Sequence, residues 1–235
     1  MTPARFENSL AATRADWRAP RGIRHGEWAE QPLDLRRPEP HNASRLHRRP
    51  EFSALDPDAR FLVLGGLSGL AWIRPEQTAA PQPLTRNAGG LQIPWSFAPA
   101  GKRLAYHQRS ADTAFDLWTV PIEHSANGIT AGTPEPFLAT PAYETYPSFS
   151  LDGKWIAYGS NESGNWEVYV RAFPDTGRKV QVSEGAGRIA LWSPNGRELV
   201  YRTDGQRIVV VNWAIRDGVF AVESRRMSRA KTTSP

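Results

Sequence analysis

The chain has 235 residues, a hydrophobic fraction of 40%, nine tryptophans and a formal charge of +5, enough apolar material for a buried core. It has no cysteine, which excludes disulfides, thiolate zinc sites and a cysteine nucleophile. Residues 1–50 carry ten arginines against six acids and residues 214–235 five bases against two, so the middle nets −2; the positive excess sits on the flanks and argues against a nucleic-acid partner, which needs its bases on the folded surface.

Residues 1–50 hold six prolines and no sustained period of 2 or 3.6, so the expectation is a disordered Arg/Pro-rich arm. The first twenty residues lack the apolar core of a signal peptide, and no stretch reaches the roughly 18 apolar residues of a membrane span. The default expectation is a cytoplasmic protein; a misassigned or truncated start would allow a periplasmic one.

From residue 51 the character changes, with 20 prolines and 19 glycines in the whole sequence favouring many short strands. Internal repeats are present. FAPAGKRLAY runs from Phe97 to Tyr106, FSLDGKWIAY from Phe149 to Tyr158 and WSPNGRELVY from Trp192 to Tyr201. Each has an aromatic four residues before a glycine (Gly101, Gly153, Gly196), a base just after it and a tyrosine five residues on. A degenerate copy, LDPDARFLVL from Leu55 to Leu64, puts Ala59 where the glycine belongs.

The anchors are 42, 52 and 43 residues apart, at and just above the roughly 40–45 residues of WD40-type blades. Each unit reads as a four-stranded antiparallel meander. In the third, an inner strand over Pro147–Ser150 leads to a tight turn over Leu151-Asp152-Gly153, a strand over Lys154–Gly159, a turn over SNESGN, an alternating strand from Trp166 to Arg171 and a last strand over Lys179–Ser183. The last two strands recur as Asp116–Val120 with Pro136–Thr140, and as Leu70–Ile73 with Gln82–Thr85.

The aromatic-Ser-Pro-Asp-Gly-Lys-x-Ile-Ala-Tyr template, followed by SNESGNWEVYV, resembles the bacterial TolB-like, WD40-like β-propeller repeat over about residues 52–222. Departures stand at Ala59, at Ala100 for the turn Asp and at Leu151 for the turn Pro. The resemblance implies an all-β propeller of about four blades (51–90, 91–141, 142–184 and 185–222), with a basic tail over 223–235. Rings usually need 4 to 8 blades, and members of this kind usually carry six or more, so an incomplete ring is expected, completed by missing blades or another subunit.

Catalytic motifs are missing. There is no kinase Gly-rich or HRD loop; Gly101-Lys102 lacks the upstream glycine and following Ser/Thr of a P-loop; Gly66-Leu67-Ser68-Gly69 has the wrong spacing for a nucleophile elbow. The five histidines form no metal pair, and His107 reads as a polar strand-end residue. Asn161-Glu162-Ser163 matches a glycosylation acceptor but is explained by turn chemistry. Trp72, Trp118, Trp166 and Trp192 read as blade-on-blade core.

The functional expectation is a non-catalytic propeller, not an enzyme and without cofactor or metal, acting as a scaffold or sensor for a protein or peptide partner. The alternative is an accessory propeller of a larger enzyme, a serine/threonine kinase or prolyl-oligopeptidase-type hydrolase, whose catalytic domain lies elsewhere. Strand parity puts the second-to-third turns and the blade-to-blade connections at one end. The binding face expected there displays Arg86, Asn87, Arg109, Asp112, Tyr143, Glu144, Tyr146, Asn161, Glu162, Glu184 and Arg188.

Overall fold

A computed structural model describes residues 52–228, apart from 77, 78 and 87–89, all within the compact unit 49–235. The N-terminal arm and Asn87 lie outside the described residues, as does most of the tail.

The described residues form strands and no helix, in four antiparallel sheets. Blade 1 is β1 (Ser53–Leu55), β2 (Leu62–Leu64), β3 (Ala71–Ile73) and β4 (Gln82–Pro83). Blade 2 is β5 (Gln92–Phe97), β6 (Arg103–Ser110), β7 (Ala114–His124), β8 (Ile129–Ala131) and β9 (Glu135–Leu138). Blade 3 is β10 (Glu144–Phe149), β11 (Trp155–Ser160), β12 (Glu167–Ala172) and β13 (Lys179–Gln181). Blade 4 is β14 (Ile189–Trp192), β15 (Glu198–Arg202), β16 (Ile208–Arg216) and β17 (Val219–Met227), so its last strand passes residue 222 and takes in the start of the expected tail.

The repeated turns share one geometry. Gly101, Gly153 and Gly196 have φ of 70°, 70° and 66°, and each donates its N–H to the carbonyl three residues back at 2.8–2.9 Å. Ala59 adopts the same turn at φ 57°, donating to Asp56 O at 2.9 Å, with a Cβ that crowds this left-handed backbone. Asp56 compensates: its Oδ1 accepts from Phe61 N at 2.7 Å.

Blade 2 departs from four strands, which explains its 52-residue spacing. The long β7 pairs with β9 along its first half, as expected, and with the extra strand β8 along its second. The β7–β8 hairpin folds over blade 1, whose strands are only two or three residues long. Ile122 and Ile129 join Phe61, Val63 and Trp72 in one buried cluster. His124 Nε2 lies 3.7 Å from Asp56 Oδ2, and Arg74 Nη2 donates to Ala126 O at 3.0 Å.

Alternating side chains of each sheet bury against the next blade. Ala105 with Phe149 and Ile156, and Leu117 with Tyr158 and Tyr169, fill the seam between blades 2 and 3. Val168 and Val170 with Trp192, Leu199 and Val211 fill the next. Trp192 Nε1 donates across this seam to Ser148 O at 2.9 Å, and Phe149 N to Ser96 Oγ at 3.1 Å across the previous one. Inner strands pack in order, β1 on β5, β5 on β10 and β10 on β14, in an arc that does not close into a ring. On the outward face of blade 4, Leu191 stays 48% exposed.

A hydroxyl closes two of the blades in the same way. After β4, Thr85 Oγ1 accepts from Leu70 N at 2.8 Å and donates to Gln92 Oε1 at 2.7 Å. After β13, Ser183 Oγ accepts from Val168 N at 2.7 Å and donates to Glu167. The bonds from Leu70 N and Val168 N tie each connecting segment back to the third-strand region of its own blade, and the Thr85–Gln92 bond ties the first connection on to β5 of the next, so the connections leave from fixed points.

Candidate functional site

At the end where the β6–β7 and β11–β12 turns meet the blade connections, hydrogen bonds hold the loops in place. Tyr143 N donates to Asn161 Oδ1 at 2.8 Å, joining the connection between blades 2 and 3 to the β11–β12 turn. Gly185 N and Ala186 N donate to Glu167 Oε1 at 3.0 and 3.3 Å, and Gly187 N to Trp166 O at 2.9 Å, fixing the next connection.

Two inner strands bulge at this end. The β5–β6 register shifts between Pro94 and Ser96, leaving Trp95 unpaired, and the β10–β11 register shifts between Thr145 and Ser148, where Tyr146 takes φ 59°. A bulge re-aims a side chain out of the pleat, and here it brings two aromatics of neighbouring blades together. Trp95 and Tyr146 meet edge to face at 4.7 Å. His107 lies 5.4 Å from Tyr146 and 5.4 Å from Phe115, Phe115 reaches Tyr143 at 6.4 Å, and Tyr143 reaches Trp166 at 6.1 Å.

Arg188 completes the group. Its guanidinium lies 4.0 Å from the Trp166 ring centroid and 5.8 Å from that of Tyr146. Its Nε is buried without a hydrogen-bond partner.

Of the expected binding residues, the structure draws Tyr143, Tyr146, Asn161 and Arg188 into this group. Arg109 and Asp112 are exposed beside it, on β6 and the β6–β7 turn. Arg86 is exposed beyond β4 and makes none of these ring contacts. The three glutamates turn elsewhere. Glu162 pairs with Lys179 Nζ at 2.5 Å and Glu184 with Arg225 at 2.8 Å. Glu144 is fully buried, because residue 144 opens strand β10 and faces the seam instead of lying in the connection. Burial raises its pKa to about 7 although Thr140 Oγ1 donates to its carboxyl.

Trp95, His107, Phe115 and Trp166 were not among the expected residues. His107 is a mid-strand residue, 3% exposed, and not a strand-end one. Burial first, and the Arg188 charge second, lower its pKa to about 3, so it is neutral; its Nδ1 faces Tyr146 N at 3.4 Å. Trp166 is half-buried beneath Arg188 and joins no core cluster, unlike Trp72 and Trp192. An aromatic just before the first residue of a strand was the available signal, and its position in the turn puts it under the neighbouring connection.

Among the described residues no group of three or more His, Asp or Glu side chains could hold a metal ion. A shallow cleft of about 280 Å³ lies at the opposite end, between blade 3 and the β16–β17 turn. It is lined by Trp155, Val170 and Phe220, with Arg178 and Asp217 at its edge.

No family model and no curated protein matches the sequence. Solved structures do match. One assigned as TolB from Agrobacterium tumefaciens gives a TM-score of 0.56 at 14% identity, covering 75% of this chain and 65% of that one. The nidogen/laminin complex gives 0.54 at 11%, covering 72% and 62%. An oligogalacturonate lyase in complex with manganese gives 0.51 at 13%, covering 74% and 52%. At these identities the likeness is one of fold, a β-propeller arc, and this protein spans less than two thirds of each of those three.

Proposed function

We propose that this propeller segment is a non-catalytic scaffold, holding a protein or peptide partner at the end where the β6–β7 and β11–β12 turns meet the blade connections. The observation that carries the reading is the group formed by Trp95, Tyr143, Tyr146, Trp166 and Arg188, with Tyr143 44% exposed. Tyr, Trp and Arg dominate interface hot spots because they combine large contact area with directional donors. The loops that carry them are pinned to the blades by the Asn161 and Glu167 bonds, so little order is lost on binding. Binding sites on rigid scaffolds are commonly built on such loops.

A second reading, an accessory propeller of a larger enzyme, is favoured by the extent of the match, since the segment spans 52% of a lyase with a similar arc. Affinity capture separates the two. Wild type and a Tyr143→Ala, Tyr146→Ala, Arg188→Ala variant with retained strand content are compared. A scaffold loses its partners in the variant, and equal capture by both places the binding surface elsewhere. A partner captured with catalytic activity of its own, bound through another face, supports the accessory reading.

A further inference from the structure

Among the described residues no carboxylate pairs with Arg188. Glu144 is buried in the seam, Glu162 is paired with Lys179 and Glu184 with Arg225, Asp116 is buried and accepts from Thr113 Oγ1 at 2.7 Å, and Asp112 is exposed on the β6–β7 turn. Glu167 accepts from Ser183, Gly185 and Ala186. Among the described residues the Arg188 side chain joins no ion pair and donates no hydrogen bond, although its Nε is buried and its guanidinium is stacked 4.0 Å from Trp166. Stacking holds the planar fork in one orientation while leaving its N–H edge free. A half-buried guanidinium with unused donors is costly unless an anion meets it.

We propose that Arg188 anchors a carboxylate of a partner peptide, with Trp95, Tyr143 and Tyr146 receiving the apolar or aromatic residue beside it. The inference rests on the scaffold reading above. A carboxylate fits the fork bidentately. A phosphate, nearly dianionic, is usually met by clustered cations. Of the other cations at this end, Lys179 and Arg225 already have partners, buried His107 is neutral, and Arg109 stands in solvent on β6. The single stacked guanidinium matches one monoanion. The carboxylate is either an Asp or Glu side group or a free peptide C-terminus, and the two are separable by experiment.

The test uses the ¹⁵N-labelled full-length protein titrated with short peptides, reading the arginine Nε–H and indole resonances, with that of Arg188 assigned from Arg188→Lys. The probes are acetyl-Gly-Phe-Glu-Phe-Gly-amide, its Gln analogue, Gly-Phe-Gly-Phe with free and amidated C-terminus, and a phosphoserine analogue of the first. The expected result is saturable movement of the Arg188 Nε–H with one or both carboxylate peptides. The matching amide should bind at least about tenfold more weakly, as a charge-assisted bond is worth roughly 1.5–3 kcal/mol. Arg188→Lys weakens binding and Arg188→Gln abolishes it, each with the melting of the wild type, while the exposed Tyr143→Ser weakens it less.

Equal binding of acid and amide peptides, or stronger binding of the phosphopeptide, overturns the carboxylate assignment. So does silence from every carboxylate peptide up to about 1 mM. In any of those cases partners lost from the triple variant in affinity capture would leave the scaffold reading standing, so the two can fail separately.

Discussion

Replacing Ala59 with glycine should stabilise the protein. Ala59 sits at φ 57° in the turn that the other three blades make with glycine, and it is exposed, so the Cβ contributes strain and little packing. An L-residue in this conformation costs roughly 1–2 kcal/mol. Glycine returns about 0.4–1 kcal/mol of that through its greater freedom in the unfolded state. The net gain is about 0.5–1 kcal/mol, or roughly 1–4 °C in Tm for a folded region of this size. Gly196→Ala is the mirror experiment. Its φ is 66° and an added Cβ would meet nothing within 4 Å, so backbone strain acts alone and Tm should fall by a similar amount. Calorimetry of both variants gives opposite signs if the reasoning holds. A lower or unchanged Tm for Ala59→Gly would refute it and would mean that the Asp56 bonds hold the turn in a shape glycine does not keep.

Ser183→Ala removes the acceptor of Val168 N and the donor to Glu167 in a fully buried site, and should cost about 2–3 kcal/mol in urea titration. Glu144 has a folded pKa raised by burial to about 7 against an ordinary 4.5, so the folded state holds the proton longer than the unfolded one; its stabilising contribution is complete below about pH 4.5 and is lost as pH rises through about 7. Glu144→Gln, which cannot ionise, should therefore match wild type at pH 4 and exceed it at pH 8 by about 1–3 kcal/mol in chemical denaturation. In Gly128→Ala the new Cβ would stand 2.3 Å from the Trp72 ring; the β7–β8 hairpin should lift from blade 1, costing roughly 1–3 kcal/mol and shifting Trp72 emission to the red.

The blade turns were legible because their chemistry is local: a glycine that can take φ > 0 between two alternating strands names its own turn, and even Ala59 could be placed by register against the other copies. The end at which the loops meet followed from strand parity alone, and Tyr143, Asn161 and Arg188 are found together there. What escaped depends on contacts between distant residues. Nothing local distinguishes Glu144 as the first residue of a strand from Tyr143 as the last of a loop, yet one position decides between full burial and 44% exposure. The bulges that turn out Trp95 and Tyr146 are set by pairing with β6 and β11, not by their own residues. The β7–β8 hairpin left only a long spacing as its trace, because Ile122 and Ile129 bury against blade 1.

Repeat proteins can lengthen or shorten by whole units because each repeat touches only its neighbours. The hairpin lent by blade 2 changes what counts as a unit in this protein. Excising residues 53–83 by themselves would strip Phe61, Val63 and Trp72 from Ile122 and Ile129 and leave an apolar flap with nothing beneath it. Duplicating them by themselves would copy a sheet of two- and three-residue strands without its cover. Gain or loss at this end of the arc would have to proceed by the first two blades together, so the heritable module is about twice the length of the repeat written in the sequence.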